Sequence, residues 1–195
     1  MTENVGAGKS TLLNAICGLV SVASGELRWG RDVTAMYIPQ TALRAPGASL
    51  AGHLTYPDTK RYSQTYLQRL LRQACVAHLF ARCPNGDMYA PIADGGTFSA
   101  GELQCLGLAR VLHAHPTVAF LDEATSALPC DVELRVLNAI IDSGTTLVTA
   151  SHSEALRAVH THVLSLEPGS VPGWRIDPCV TSKSLIRGLS SIGAI

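Results

Sequence analysis

Apolar residues recur along this chain with two different periods, and the changes of period mark its elements. The block Leu12-Leu13-Asn14-Ala15-Ile16 follows directly on the loop Gly6-Ala7-Gly8-Lys9-Ser10-Thr11, which predicts a loop feeding a helix with no strand before it. A strand upstream of that loop is expected to be missing. Short strand signals stand at Glu26 to Trp29 and at Ala35 to Ile38. From about Ser49 to Phe80 the pattern turns helical, with Leu67, Leu70, Leu71 and Ala74 on one face, as in a helical insertion.

The second half alternates. A Gly/Asp loop, Ala93 to Thr97, precedes a helix that starts near Ser99, and Thr117 to Leu121 is the short apolar run of a buried parallel strand. Val132, Val136 and Ile140 share a helical face, Thr146 to Thr149 reads as strand, Glu154 to Val159 as helix and Val163 to Leu166 as strand. Strands alternating with helices predict an α/β fold with a parallel sheet. Residues 1–177 then form one domain with a helical part at about 45–112, and the Ser- and Gly-containing tail 178–195 is expected to be poorly ordered.

Composition removes several classes of function. The 195 residues are 47% apolar and 15% charged, which is a globular balance with enough material for one sizeable core. Lys plus Arg equals Asp plus Glu at 15 each, so the general attraction that carries non-specific nucleic-acid binding is absent. The longest apolar stretch, Leu12 to Ala23, is interrupted by Asn14, Gly18 and Ser21 and falls short of the roughly 20 residues that cross a bilayer. No secretory leader is expected at the start, and the six cysteines show no CxxC pair, so they read as reduced, mostly core-filling thiols of a cytosolic setting.

Three segments carry candidate chemistry. Gly6-Ala7-Gly8-Lys9-Ser10 is the second half of a phosphate loop GxxxxGK[ST], in which glycines let backbone N–H groups approach phosphates, the helix start favours negative charge, Lys9 reaches the outer phosphates and the Ser10 hydroxyl ligates Mg²⁺. Glu3 stands where the first glycine belongs. Val118 to Glu123 is an apolar strand ending in two carboxylates, at the sheet edge where ligands bind; Asp122 is placed to hold Mg²⁺ and Glu123 to polarise an attacking water. Phe98-Ser99-Ala100-Gly101-Glu102 offers a Ser hydroxyl and free N–H groups at a helix start, either as a second anion site serving a nucleotide held by another subunit or as an ordinary capping box of Ser99 with Glu102. Gln40 and His152 each follow a strand-like run, where they can reach a phosphate or its metal. The pairs His113/His115 and His160/His162 have alternate spacing but no partner set for a metal, and read as surface or core histidines.

Taken in order, these segments resemble the ABC ATPase family from Walker A to the H-loop, over about four-fifths of the chain. The resemblance implies a P-loop NTPase core with a helical ABC subdomain. It implies that Gly6, Ala7, Gly8, Lys9, Ser10 and Thr11 bind ATP phosphates and Mg²⁺, and that Gln40 is the Q-loop residue. Ser99, Gly101 and Glu102 belong to the LSGGQ-type signature, Asp122 and Glu123 are Walker B, and His152 is the γ-phosphate switch. Within the family, Tyr56-Pro57-Asp58, Leu121 to Ala127 and the ending His162 to Leu166 with Gly173 to Ile176 look most like subfamily D, half-transporters of peroxisomal and lysosomal membranes with bacterial relatives. That implies ATP hydrolysis coupled to transport, partnership with a second cassette and a transmembrane domain, and a place on the cytosolic face of a peroxisomal or lysosomal membrane, with a bacterial inner membrane as the alternative. A soluble ABC ATPase and an inactive cassette fragment are the rival readings. Ala100, Cys105 and Pro129 depart from the family pattern, and Glu3 is expected to weaken ATP binding by setting a carboxylate near the phosphates.

Overall fold

A computed structural model describes residues 8–43, 49–92, 98–166 and 173–179. Three strands, β1 (Ala35–Ile38), β2 (Val118–Asp122) and β3 (Thr146–Ala150), form a wholly parallel sheet in the order β1-β2-β3. β2 is the middle strand and every one of its residues is buried, which is why it reads as an unbroken apolar run. Parallel neighbours need long crossovers. Here the 1-to-2 crossover contains the helices α2 (Leu50–Thr55), α3 (Gln64–Gln73) and α4 (Ala100–Ala114), and the 2-to-3 crossover is α5 (Cys130–Asp142).

α4 is the hub. Ser99 caps it through the Glu102 amide and the Glu102 carboxylate returns to the Ser99 N–H, so the capping box read from the sequence is formed. Its residues from Leu103 to Leu112 are all buried, as suits a helix with α2, α3, α5 and β1 packed around it. The predicted stripe of α3 does what its spacing demands: Leu67, Leu70, Leu71 and Ala74 are at most 2% exposed. Each such leucine contributes on the order of 1.5–3 kcal/mol. α5 buries Val136 and Ile140 as expected, with Val132 packed against the same cluster.

The opposite face of the sheet is covered by α1 (Lys9–Ile16), whose Leu13 joins Val118, Phe120 and Ala150 in a second, smaller core. β4 (His162–Leu166) and β5 (Trp174–Pro178) form a separate antiparallel hairpin. Glu154–Ala158 is a 3-10 turn rather than an α-helix.

Two expectations need correction. The strand signal at Glu26 to Trp29 does not become a strand: no neighbour pairs with it among the described residues, Leu27 and Trp29 stay 47% and 43% exposed, and Arg28 turns back onto Glu26 at 2.8 Å. A strand signal without a ladder partner gives no hydrogen bonds to hold it. The first two residues of the 178–195 segment are also ordered, since Pro178 closes β5 opposite His162 and the Cys179 N–H donates to the Thr161 carbonyl at 2.8 Å. Residues 180–195, the Ala93–Thr97 loop, Glu3, Gly6 and Ala7 lie outside the described residues.

Candidate functional site

Because β1, β2 and β3 run parallel with Ile38 opposite Leu121 and Leu121 opposite Thr149, the segments that leave their C-terminal ends start side by side. That register delivers Gln40, Glu123 and His152, three residues far apart in sequence, to one edge of the sheet. Gln40 Nε2 donates to Glu123 Oε2 at 2.9 Å, and His152 Nε2 lies 3.5 Å from Glu123 Oε1.

α1 brings the fourth segment. Gly8 precedes it in the left-handed region, with φ 87°, a conformation that glycine takes without a steric cost. No side chain caps the helix, no carboxylate stands in its first turn, and its first internal bond runs from the Leu12 N–H to the Gly8 carbonyl. The N–H groups of Lys9, Ser10 and Thr11 therefore have no partner within the helix, and the positive end of its dipole is open. Ser10 Oγ donates to Asp122 Oδ1 at 2.9 Å, and Lys9 Nζ is 3.2 Å from His152 Nε2. An ammonium only donates, so in this arrangement His152 accepts on Nε2 and carries its proton on Nδ1. The approach of His152 to Glu123 is then a near contact and not a hydrogen bond.

Tyr37 and Gln104 complete the set. Tyr37 faces the same side of the sheet as Asp122, two residues on from its neighbour Phe120, and its hydroxyl donates to Asp122 Oδ2 at 2.9 Å. Burial first, and the Asp122 carboxylate second, push the Tyr37 hydroxyl up to about 12, so it stays a donor at any physiological pH. Gln104, 6% exposed on α4, reaches the loop after β2 with its whole amide group: Nε2 to the Glu123 carbonyl at 3.4 Å and to Ser126 Oγ at 3.1 Å, and Oε1 from the Ala127 N–H at 2.9 Å. Tyr37 reads in the sequence as strand packing, and Gln104 as the glutamine that follows the Ser99 to Glu102 signature, with no partner indicated.

Glu123 itself has φ 49°, left-handed in a residue with a Cβ, at a cost of roughly 1–2 kcal/mol. Its backbone is held on both sides, by the N–H to Ala150 carbonyl bond at 2.9 Å and by Gln104. The left-handed turn swings its side chain out of line with β2, toward Gln40 and His152.

Ser99, Gly101 and Glu102 do not join this network. Ser99 and Glu102 bond one another, and Glu102 continues to His78 at 2.9 Å and Arg82 at 2.8 Å. The balance of those partners over burial holds the Glu102 carboxyl below its usual range. Gly101 stands so close to the loop after β2 that a Cβ there would lie 3.1 Å from the Ala127 carbonyl oxygen. Thr11 is exposed at the start of α1. The histidine pairs go to local structure: His113 Nδ1 meets the Tyr66 hydroxyl at 2.9 Å, and His160 binds the Leu156 carbonyl and Thr149.

The sequence profile of the family described as "ABC transporter" matches residues 4–126. The chain belongs to the ABC transporter family. Its cassette is 34% identical over 173 residues to ATP-binding cassette sub-family D member 1 of Drosophila melanogaster, covering 83% of this chain and 23% of that protein. It is 33% identical to ABC transporter D family member 1 of Arabidopsis thaliana, over 88% of this chain and 13% of the relative. The human lysosomal cobalamin transporter ABCD4 is 29% identical over 85% of the cassette, which spans 29% of that protein. Among solved structures, a bacterial Atm1-family ABC exporter with ATP bound superposes with a TM-score of 0.67 at 24% identity, over 83% of this chain and 30% of the exporter, which shows a shared fold. The cassette thus covers less than a third of the length of these relatives.

The residues present suit a magnesium nucleotide. The Ser10 hydroxyl and the Asp122 carboxylate supply adjacent hard oxygen donors, the set a small divalent cation takes, beside an uncapped helix start with a lysine.

Proposed function

We propose that this cassette binds MgATP between the start of α1 and the end of β2, hydrolyses it, and is the ATPase half of a subfamily D-like half-transporter. The supporting observation is the convergence of four separate segments in one network: Lys9 on His152, Ser10 on Asp122, and Gln40 on Glu123. In this reading the open N–H groups of α1 and Lys9 bind the phosphates, and Ser10 and Asp122 hold Mg²⁺, which neutralises phosphate charge when bound. Gln40 is a further ligand or sensor at the same edge. Glu123 orients and polarises the attacking water, and His152 faces the terminal phosphate. Gly6 and Ala7 extend the phosphate loop.

Ser99, Gly101 and Glu102 act in this reading on the nucleotide of a second cassette, identical or different, because their segment is tied to its own surroundings and not to Lys9 or Ser10. Energy from hydrolysis passes to a transmembrane domain, with the cassette on the cytosolic face of a peroxisomal or lysosomal membrane. Nucleic acid has no part in it.

The deciding experiment is Glu123→Gln in the full-length protein. Nucleotide binding should persist while hydrolysis slows by about 100-fold or more, the scale of losing a general base. Unchanged turnover would refute the role of Glu123.

A further inference from the structure

We infer that Gln104 is the positioning residue through which the helix bearing Ser99 fixes Glu123. Three bonds from one buried amide span residues 123, 126 and 127, the whole turn that leaves β2. The amide orientation has a single solution: the Ala127 N–H can only donate and the Glu123 carbonyl can only accept, so Oε1 faces the first and Nε2 the second. Both Nε2 hydrogens and the oxygen are used, which leaves a buried polar group fully satisfied and a loop with no equivalent alternative position.

Glu123 needs such a fixture. Its left-handed φ of 49° persists only if the surroundings over-determine it, and its carboxylate direction follows from that backbone. On the β3 side the restraint is the bond to Ala150; the carbonyl accepts the Ser126 N–H at 3.2 Å within the turn and Gln104 from the helix side.

A second observation ties the same two segments together independently of Gln104. At Gly101 the first turn of α4 approaches the Ala127 carbonyl so closely that a methyl group would sit 3.1 Å from it and 3.5 Å from Leu128 Cδ2. The start of α4 and the loop after β2 are therefore packed with no room for a side chain between them. The further step rests on the function proposed above: if Ser99 engages a partner's nucleotide, any displacement of α4 that accompanies it reaches Glu123 through the Gln104 amide. One cassette's hold on its partner's ATP then governs the aim of its own water-positioning carboxylate.

The test is steady-state hydrolysis and nucleotide affinity, measured with a fluorescent ATP analogue, in the full-length protein. Gln104→Met keeps the volume and removes all three bonds. Gln104→Glu keeps the acceptor for Ala127 but turns a lone pair toward the Glu123 carbonyl, and serves if the methionine variant fails to fold. Either should keep nucleotide affinity within about twofold and lower turnover about tenfold or more, since Lys9 and Ser10 are untouched while a buried hydrogen bond to the catalytic backbone is lost. Turnover within twofold of the parent, affinity falling in step with turnover, or misfolding of both variants would overturn the assignment. A parent protein without hydrolysis would instead count against the proposed function itself.

Discussion

Asp122 illustrates how one carboxylate is prepared by its neighbours. Each of its oxygens accepts a hydroxyl hydrogen, Oδ1 from Ser10 and Oδ2 from Tyr37, so its plane is set before any ligand arrives. If that preparation matters for Mg²⁺, Tyr37→Phe should raise the Mg²⁺ concentration needed for half-maximal nucleotide binding by about 3- to 10-fold, the equivalent of one net hydrogen bond. Binding of the nucleotide with the metal chelated should not change. A superimposable Mg²⁺ titration would exclude the role. The linked pH dependence has a definite sign: the hydroxyl is raised from 10 to about 12, so its contribution is intact below pH 10 and disappears as the pH climbs toward 12. At this scale the sequence disclosed the ends of strands well, since Gln40, Asp122, Glu123 and His152 all follow apolar runs. It concealed Tyr37, and of Gln104 it disclosed the motif but not the partners, because a tyrosine in a strand and a glutamine in a helix have no readable role until a neighbour is known.

Elements were legible where their own residues determine them. The stripe of α3, the capping box of α4 and the apolar β2 each carry a local cause, and each is found where the pattern places it. The Glu26 to Trp29 signal failed and β5 was not predicted for the complementary reason, since a strand exists only with a partner and the partner is not written in the strand. The capping box also yields a stability expectation. Glu102→Ala removes the return bond to the Ser99 N–H together with the contacts to His78 and Arg82, on a side chain only 14% exposed. A lost cap costs about 1 kcal/mol, or roughly 2–4 °C in melting temperature for a chain of this size. Differential scanning calorimetry reads this directly, and an unshifted transition would mean that the box contributes nothing.

For the whole molecule, the function proposed above, in which Lys9 and Ser99 act on different nucleotides, predicts a composite site when two cassettes pair. Lys9→Ala should weaken ATP binding, whereas Ser99→Arg should spare binding by one subunit and block hydrolysis. Mixing the two inactive proteins decides the matter: restored hydrolysis, about a quarter of the parent rate if exchange is random and one intact site suffices, supports shared sites. No recovery, or loss of single-subunit binding by Ser99→Arg, would count against them.

The same parallel sheet sets a schedule for the growing chain. Tyr37 and Asp122 touch across 85 residues of sequence, so β1 leaves the ribosome long before the strand it must lie against exists. At about 5–20 residues per second that interval is about 4–17 s. Local helices form in about a microsecond, so α2, α3 and α4 have ample time to assemble first. The site edge is built late: Gln40 waits for Glu123, and Lys9 waits longer still for His152.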